Sequence, residues 1–547
     1  MTGTADIEEG WHSAEPSAEE LAERRFRLAV AGLTILPALF LTLRLTAWPP
    51  HEDETLALFV GRHSLHDLFG VVLDERGGAP LHFLVAWAAA HLGLGLDGLR
   101  AASALFAVAS VPVIAALVRR LSDRRTALVA TALVVASWML LFHGVYGRMY
   151  SLFLFTSALS YLALLVACER GGTWRWALWV LAILAVVATH PYGALVLASQ
   201  GLYVLLAARE RLRGAVAAFA AVALLGIPFW LTDLVLAGRF DVGVGGGGEK
   251  LSGPVSLMNY LAETLGDFTA GWPPTVALAV LGTVVGIVLL GRQRPRTAIL
   301  IGCAAGVPVA AFLAARLGGN TSPESRHLIF VLPFAALALA TALLELVARH
   351  ATAGWGLIAV LLAAEVAWGW HKTPPLFVGE PSSRVSARAE ASAWLARTSR
   401  PNDVLFGYDP LFLGAWERNG EVSSIVVPRA DVKLALTTMR KAAKPLGRGV
   451  WVFDSSDTNN FDPRPTIRLV SPQPAADFET RTFGPFLVIR TREPTRTPAN
   501  YFRQARRAQL VGKALYLGDA DVNYQTIVRA GRRLGLYTPR SRSISSR

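Results

Sequence analysis

Three consecutive carboxylates, Glu52, Asp53 and Glu54, follow the first long apolar segment of the chain, residues 28–48, after only a few residues. An apolar segment of about 20 residues is long enough to cross a bilayer as a helix, so the acidic residues are predicted to lie at a membrane surface. Carboxylates at that depth are costly unless they have a use. The chemistry that suits them is removal of a proton from a hydroxyl that attacks an electrophile carried by a lipid.

Composition predicts that the elements positioning these carboxylates are membrane helices. Hydrophobic residues make up 53% of the chain and charged residues 17%, whereas a soluble domain carries roughly 25% charged residues. The net charge of +13 would indicate a nucleic-acid partner in a soluble protein. Here much of it lies in short loops between apolar segments, where it sets topology, and no nucleic acid is predicted. Cys168 and Cys303 lie in or beside apolar segments, so no disulfide framework is predicted.

Basic loops predict the orientation. Residues 1–27 form a polar segment that ends in arginines, and further basic loops recur at 119–125, 169–175, 209–213, 292–296 and 349–350. If all are cytoplasmic, about 11 spans result. They fall near 28–48, 98–118, 126–145, 151–168, 176–189, 193–208, 214–232, 274–291, 297–315, 327–347 and 353–370. The chain is therefore expected in the plasma membrane as a multi-pass protein, with a cytoplasmic N-terminus and with residues 371–547 extracytoplasmic.

The predicted domains are a transmembrane domain at 28–370, whose first external loop is 48–97, and an extracytoplasmic α/β domain at 371–493. Within the loop, 81–96 is apolar but short, and the span count favours an interfacial helix on the outer face. Helices at 386–398 and 432–443 and strands at 404–408, 424–427 and 449–453 indicate the α/β domain. Residues 494–547 are rich in Arg, Pro and Ser and predict a basic, partly disordered tail.

Five short motifs occur in order on the predicted external side: Asp53-Glu54, Pro80-Leu81-His82, Arg100 within 99–103, Tyr146-Gly147-Arg148-Met149-Tyr150, and Arg326-His327 at the start of 326–333. Together they resemble the GT-C glycosyltransferases, in particular the family that contains protein O-mannosyltransferases and aminoarabinose transferases. The resemblance covers roughly residues 28–370. It implies a polytopic α-helical GT-C fold with interfacial helices. It also implies transfer of a mannose-like hexose or a pentose from a polyprenyl-phosphate donor to a hydroxyl on the extracytoplasmic face.

The resemblance also implies roles for single residues. Asp53 would be the general base of a catalytic pair with Glu54, and Glu52 or Glu54 remain alternatives for the base. Arg100, Arg148 and Arg326 would bind the donor phosphate, since guanidinium groups pair with phosphate oxygens bidentately. Further candidate contacts to substrate are Glu52, His82, Tyr146, His190, Tyr192 and His327. Where this family typically has His-Pro-Pro, the chain has Gly78-Ala79-Pro80, and its histidine follows at His82.

No cofactor or metal is predicted. Binding of a divalent ion by His51, Glu52 and Asp53 is a weaker alternative, because spacing this short is common by chance. The four glycines at 245–248 predict an external loop, since no P-loop pattern accompanies them. The acceptor stays open between protein, glycolipid and polysaccharide, and membrane lipids are the other expected partners. The rival class is a transporter or flippase of a lipid-linked saccharide, which is less favoured because no internal repeat is evident.

Overall fold

The computed structural model of the protein describes residues 17–240, 251, 253–318, 324–407, 409–419, 425–427, 432–442, 445–456, 461, 476–515 and 520–536. The predicted loop at 245–248 lies outside them. The first part is helical: α1 (Ala18–Leu43), α2 (Glu52–Gly61), α3 (Leu65–Gly70), α4 (Pro80–His91), α5 (Gly95–Leu121), α6 (Arg124–Ala136), α7 (Trp138–Val145), α8 (Tyr150–Arg170), α9 (Thr173–Thr189), α10 (Gly193–Ala207), α11 (Leu212–Leu225), α12 (Ile227–Phe240), α13 (Pro254–Phe268), α14 (Pro273–Gln293), α15 (Pro295–Gly318), α16 (Leu332–Arg349) and α17 (Ala351–Lys372). A π-helical turn at Val71–Arg76 and 3-10 helices at Arg209–Arg211 and Ser325–Val331 join them.

The chain is a multi-pass membrane protein. Seven of the described helices are long and apolar enough to cross a membrane: α1, α5, α8, α14, α15, α16 with its preceding 3-10 helix, and α17. The count rises to nine if α6 with α7, bent by 52°, and α11 with α12, bent by 59°, each form one span. Helices α9 and α10 are apolar but shorter, at 17 and 15 residues. The predicted total of 11 therefore stays a prediction.

Contacts between loops sort the helix ends onto two faces. The predicted basic loops meet at one of them, here called the basic face, through Arg124 with Glu19, Arg120 with Glu169, Arg211 with the carbonyl of Cys168, and Arg296 with Glu210. The opposite ends of the helices carry the acidic run and the other motifs, and this end is called the site face. The charge bias predicts that the basic face is cytoplasmic.

Short helices cover the site face. Helix α4 has only 12 residues, which is too short to span, and it packs on α2, in agreement with an interfacial position. Gly61 permits that close approach: a Cβ there would lie 2.7 Å from the carbonyl carbon of Ala86. The backbones of α2 and α4 are therefore in close contact at Gly61.

The C-terminal domain holds a five-stranded sheet in the order β2-β1-β3-β5-β4, with strands β1 (Val404–Phe406), β2 (Ile425–Val427), β3 (Gly449–Asp454), β4 (Phe478–Phe483) and β5 (Phe486–Thr491). β1 pairs in parallel with β2 and β3, whereas β5 pairs antiparallel with β3 and β4. The helices are α18 (Pro374–Val378), α19 (Ser382–Thr398), α20 (Pro410–Asn419), α21 (Val432–Lys441), α22 (Pro498–Leu515) and α23 (Ala520–Arg533). The predicted α/β unit is present, and the sequence analysis missed β4 and β5.

Within the predicted basic tail, the structure describes residues 494–515 and 520–536, which contain helices α22 and α23. Helix α22 packs on β3 and β5, and it buries Tyr501, Phe502, Ala505 and Ala508. The arginines of this stretch, which lowered its average hydrophobicity, surround a narrow apolar stripe. That stripe belongs to the core of the C-terminal domain.

One hydrophobic core joins helix α2 to the C-terminal domain. It contains Leu56 and Leu58 of α2 together with Phe412 and Trp416 of α20. The ring of Trp416 lies 4.9 Å from that of Phe59, measured between centroids. The C-terminal domain is therefore docked on the helix that begins with the acidic run.

Candidate active site on the site face

The acidic run begins helix α2, which explains locally why its carboxylates lie together. His51 is the N-cap, and its Nδ1 accepts a hydrogen bond from the backbone N–H of Asp53 at 3.2 Å. Glu54 accepts a bond from the backbone N–H of His51 at 3.0 Å, which completes a capping box. Carboxylates in the first turn are also stabilised by the positive end of the helix dipole.

Glu54 is completely buried and fully engaged. Arg100 binds it bidentately, with Nε 2.8 Å from Oε1 and Nη2 2.8 Å from Oε2. The backbone N–H of Gly147 donates to Oε1 at 2.7 Å. The other N–H groups of Arg100 donate to main-chain carbonyls at 3.3, 2.7 and 3.0 Å, those of Leu45, Trp48 and Pro49.

This geometry argues against the prediction that Arg100 binds the donor phosphate. A guanidinium has five N–H donors, and all five of Arg100 are used within the protein. The side chain is only 2% exposed. Arg100 and Glu54 instead tie the start of α2 to the Gly147 turn and to the chain that leaves α1.

Asp53 lies on the other side of the first turn of α2, where its side chain is 29% exposed. Its Oδ2 accepts a hydrogen bond from the Tyr146 hydroxyl at 3.2 Å and lies 3.6 Å from Nη2 of Arg148. The Tyr146 hydroxyl is also 2.9 Å from Nδ1 of His51. Burial, with the Asp53 carboxylate nearby, raises the pKa of Tyr146 well above its usual value, so its hydroxyl stays protonated.

Two arginines face this carboxylate with incomplete hydrogen bonding. Burial opposes the charge of Arg148, but the Asp53 carboxylate together with Tyr150 and Tyr146 outweighs it, and the pKa of the guanidinium is raised. Arg326 donates to Glu324 at 2.9 Å, and its guanidinium carbon lies 5.4 Å from the ring centre of Tyr150. The Nε atoms of both arginines are buried without a hydrogen-bond partner in the part of the chain that the structure describes. An acceptor oxygen of a ligand would satisfy these two donors.

Imidazole and aromatic rings line the next part of the site. The ring centroids of five pairs among Tyr150, His190, Tyr192 and His327 are 4.9–6.0 Å apart. Backbone N–H groups donate to Nδ1 of His190 at 3.1 Å and of His327 at 3.0 Å. The Nε2 atom of each neutral ring therefore carries the proton.

The charge state of His190 follows from its surroundings. Burial, followed by the charges of Arg148 and Arg326, lowers the pKa of His190 to about 3. His82, at the start of α4, is buried and close enough to His190 to contribute to that shift. The site thus offers neutral imidazole donors beside fixed guanidinium charges.

The structure brings most of the predicted site residues together. Glu52 is half-exposed in the first turn of α2, next to Asp53. Within the described residues, no group of three or more His, Cys, Asp or Glu side chains is arranged to hold a metal ion. The Glu54–Arg100 pair is the exception, because it is buried beneath the other predicted site residues.

Two residues of the Tyr146–Tyr150 motif, Gly147 and Tyr150, make contacts at the site that were not predicted from the sequence. The backbone N–H of Gly147 donates a hydrogen bond to Glu54, and the guanidinium of Arg326 lies over the ring of Tyr150. Lys372, which pairs with Asp267 and lies 3.8 Å from the ring centre of Trp138, was also not predicted. Asp267 and Lys372 are more than 100 residues apart, so no local spacing could have linked them.

Comparisons with known proteins agree with this architecture. Residues 77–232 match the family model described as dolichyl-phosphate-mannose-protein mannosyltransferase. ArnT from Cupriavidus metallidurans in the apo state has a similar structure, with a TM-score of 0.52 and 15% identity over 86% of this chain and 98% of that chain. The same protein bound to undecaprenyl phosphate gives a TM-score of 0.53 and 15% identity over 87% and 98%. No curated protein sequence matches the chain. The structural similarity shows the fold, which is the one predicted from the motifs.

Proposed function

We propose that this chain, which has the GT-C fold, is a glycosyltransferase that moves a sugar from a polyprenyl-phosphate donor to a hydroxyl acceptor. The observation that carries the proposal is Asp53 lying 3.6 Å from Arg148 on the site face, with Arg326 in the same cluster. A carboxylate beside cations with unpaired N–H groups suits deprotonation of an acceptor next to a phosphate leaving group. The family match over 77–232, which contains Arg148 and His190, supports this reaction class.

Asp53 is the proposed general base. It is the carboxylate of the run that is partly exposed and that faces the cationic cluster. Glu54 is unsuited because its four hydrogen bonds and zero exposure leave it no access to an acceptor hydroxyl. Glu52 is proposed as a substrate contact, since it adjoins Asp53 in the same turn.

Arg148 and Arg326 are proposed to bind the donor phosphate. Their unpaired Nε atoms would gain acceptors from phosphate oxygens, and the paired geometry of guanidinium and phosphate favours bidentate contacts. ArnT, the structural neighbour, has been solved with undecaprenyl phosphate, which supports a lipid phosphate as the ligand class. The Nε2–H groups of His190 and His327, with Tyr192, would donate to or stack on the sugar.

The reaction follows from these positions. The acceptor oxygen attacks the anomeric carbon as Asp53 takes its proton, and the bond from that carbon to the phosphate oxygen breaks. The leaving phosphate keeps the bonding electron pair, and its negative charge is stabilised by Arg148 and Arg326. The base then releases its proton to solvent. Inversion at the anomeric carbon is the expectation that comes with the fold.

The test is sugar transfer by the full-length protein in lipid vesicles, with a panel of polyprenyl-phosphate hexoses and pentoses. Asp53→Asn is expected to lower turnover by about 100-fold or more, the scale of a general base, while donor binding persists. Asp67→Asn, an exposed change in the same external segment, is the matched control. Arg148→Gln is expected to weaken donor binding.

The same panel distinguishes the rival class. Donor binding without transfer, together with movement of lipid-linked saccharide across the vesicle membrane that is unaffected by Asp53→Asn, would make the protein a transporter or flippase. The panel also identifies the sugar. The acceptor is found by supplying peptide, glycolipid and polysaccharide hydroxyls in turn.

A further inference from the structure

A second cavity lies at the basic face, away from the proposed active site. It encloses about 840 Å³ between the start of α9 and the start of α11. His190 follows the other end of α9, and a helix of 17 residues is about 25 Å long. The cavity, here called the basic-face groove, is therefore separated from Asp53 and its partners by nearly the length of a membrane helix.

Cations surround the mouth of the groove. Arg209, Arg211 and Arg213 line it, and the one acidic residue among its lining side chains, Glu210, pairs with Arg296 at 3.3 Å. Arg211 is fixed by hydrogen bonds from Nε to the carbonyl of Cys168 at 2.9 Å and from Nη2 to that of Glu169 at 3.0 Å. The mouth thus holds a net positive charge, part of it on an immobilised guanidinium.

The start of α9 adds main-chain donors to the same mouth. Gly171, Gly172 and Thr173 line the groove, and the helix begins at Thr173 without a side-chain cap. The first N–H groups of an uncapped helix point outward with the positive end of the helix dipole, an arrangement that binds phosphate. Arginines and helix N-terminus therefore converge on one anion-binding position.

The floor of the groove is apolar and opens between two apolar helices, α9 and α11. Trp176, Ala217, Ala218 and Ala221 line it, and the small alanine side chains leave the space that the cavity occupies. Beside it, exposed apolar side chains on both helices mark the surface that faces hydrocarbon: Leu178, Leu181, Val216 and Leu224. A ligand that fills the groove therefore needs an anionic head and hydrocarbon tails.

We propose that the basic-face groove binds an anionic phospholipid of the adjacent leaflet. Its phosphate would lie among Arg209, Arg211, Arg213 and the start of α9, and an acyl chain would lie along the alanines of α11. Basic pockets between membrane helices are suited to such headgroups, and each cation near the surface strengthens binding about fivefold. The proposal is independent of the sugar-transfer reaction.

The experiment measures lipid retained by the delipidated full-length protein in mixed micelles, by native mass spectrometry and by thermal stabilisation. The probes are dioleoyl phosphatidylglycerol, dioleoyl phosphatidylcholine and inorganic phosphate. The charge variant is Arg209→Gln with Arg213→Gln, and its control is Arg125→Gln with Arg292→Gln, two exposed arginines at the basic face outside the groove. A third variant, Ala217→Leu, fills the apolar floor.

Wild type and control are expected to retain phosphatidylglycerol in preference to phosphatidylcholine. The charge variant is expected to bind it about 30-fold more weakly, and Ala217→Leu to lose the lipid while still responding to inorganic phosphate. Equal retention by the charge variant and the control would overturn the proposal, as would equal binding of the two lipids. Stabilisation by phosphate alone, without lipid retention, would also overturn it and leave a simple anion site.

Discussion

Replacing Glu54 by Gln tests whether Glu54 supports the structure of the active site while Asp53 acts as the base. The change keeps the shape of the side chain but removes its charge. A glutamine can still accept at Oε1 from Arg100 and Gly147, but its amide would face Nη2 of Arg100 and the backbone N–H of His51, which now donate to Oε2 at 2.8 and 3.0 Å. Hydrogen bonds to charged groups contribute about 1.5–3 kcal/mol each.

Losing both bonds, with the buried Arg100 left without its counter-ion, is expected to cost about 3–5 kcal/mol of stability. Asp53→Asn, at a partly exposed carboxylate, is expected to change stability by less than about 1 kcal/mol while abolishing most turnover. The assay is thermal unfolding in detergent, followed by fluorescence-detected size exclusion, in parallel with transfer activity. Asp67→Asn is again the control, expected within about 0.5 kcal/mol of wild type.

A Glu54→Gln protein that is as stable as wild type but has no turnover would contradict a purely supporting role for Glu54. Glu54 would then act in catalysis directly, and the burial of its carboxylate would be a feature of the resting site. Loss of stability in Asp53→Asn comparable with that in Glu54→Gln would equally contradict the separation of roles.

Three further changes test the surroundings of the site. Gly147→Ala is expected to lower both turnover and thermal stability, by about 1–3 kcal/mol, because its Cβ would lie 2.9 Å from Oε1 of Glu54; unchanged values would show that the turn can move. Trp416→Ala is expected to cost about 3–5 kcal/mol and to expose the C-terminal domain to limited proteolysis, whereas Trp416→Phe, which keeps a ring against Phe59, costs less; identical proteolysis of the two would contradict docking through this contact. Burial lowers the pKa of His190 to about 3 in the folded protein, so on acidification the unfolded state binds the proton first. The contribution of His190 to the free energy of unfolding is therefore complete above about pH 6.5. It falls by about 1.4 kcal/mol per pH unit as the pH drops towards 3. His190→Gln should flatten that slope in unfolding experiments at pH 4–6, and a slope equal to that of wild type would exclude His190 as its source.

The membrane architecture was predictable because its signals are local. A segment such as 28–48 is apolar over the length of a bilayer whatever its neighbours are, and α1 follows from it. The basic loops were predicted on one side, and the structure brings Arg120, Arg211 and Arg296 to one face. The short helix α4, Pro80–His91, overlaps the segment 81–96 that the span count predicted to be an interfacial helix.

The interior of the C-terminal domain was less predictable. Strand β4, Phe478–Phe483, has charged and polar residues between its two phenylalanines, and its place at the sheet edge is what permits them. Helix α22 was not predicted because Arg-rich composition hides the apolar stripe that includes Tyr501 and Ala505. A buried stripe is recognisable only when the surface that covers it is known.

The amino-acid sequence alone predicts that this chain crosses a membrane several times and shows that carboxylates and arginines lie in order along it. Residue type and spacing carry that information, because hydrophobicity and charge act on each segment separately. Which charges pair follows from the packing of the helices. Arg100 is 46 residues from Glu54 and all its donors are used within the protein, whereas Arg148 lies beside Asp53 with its Nε unpaired within the described residues. Side-chain hydrogen bonding is fixed by distance and angle between helices, and no spacing along the chain reveals those.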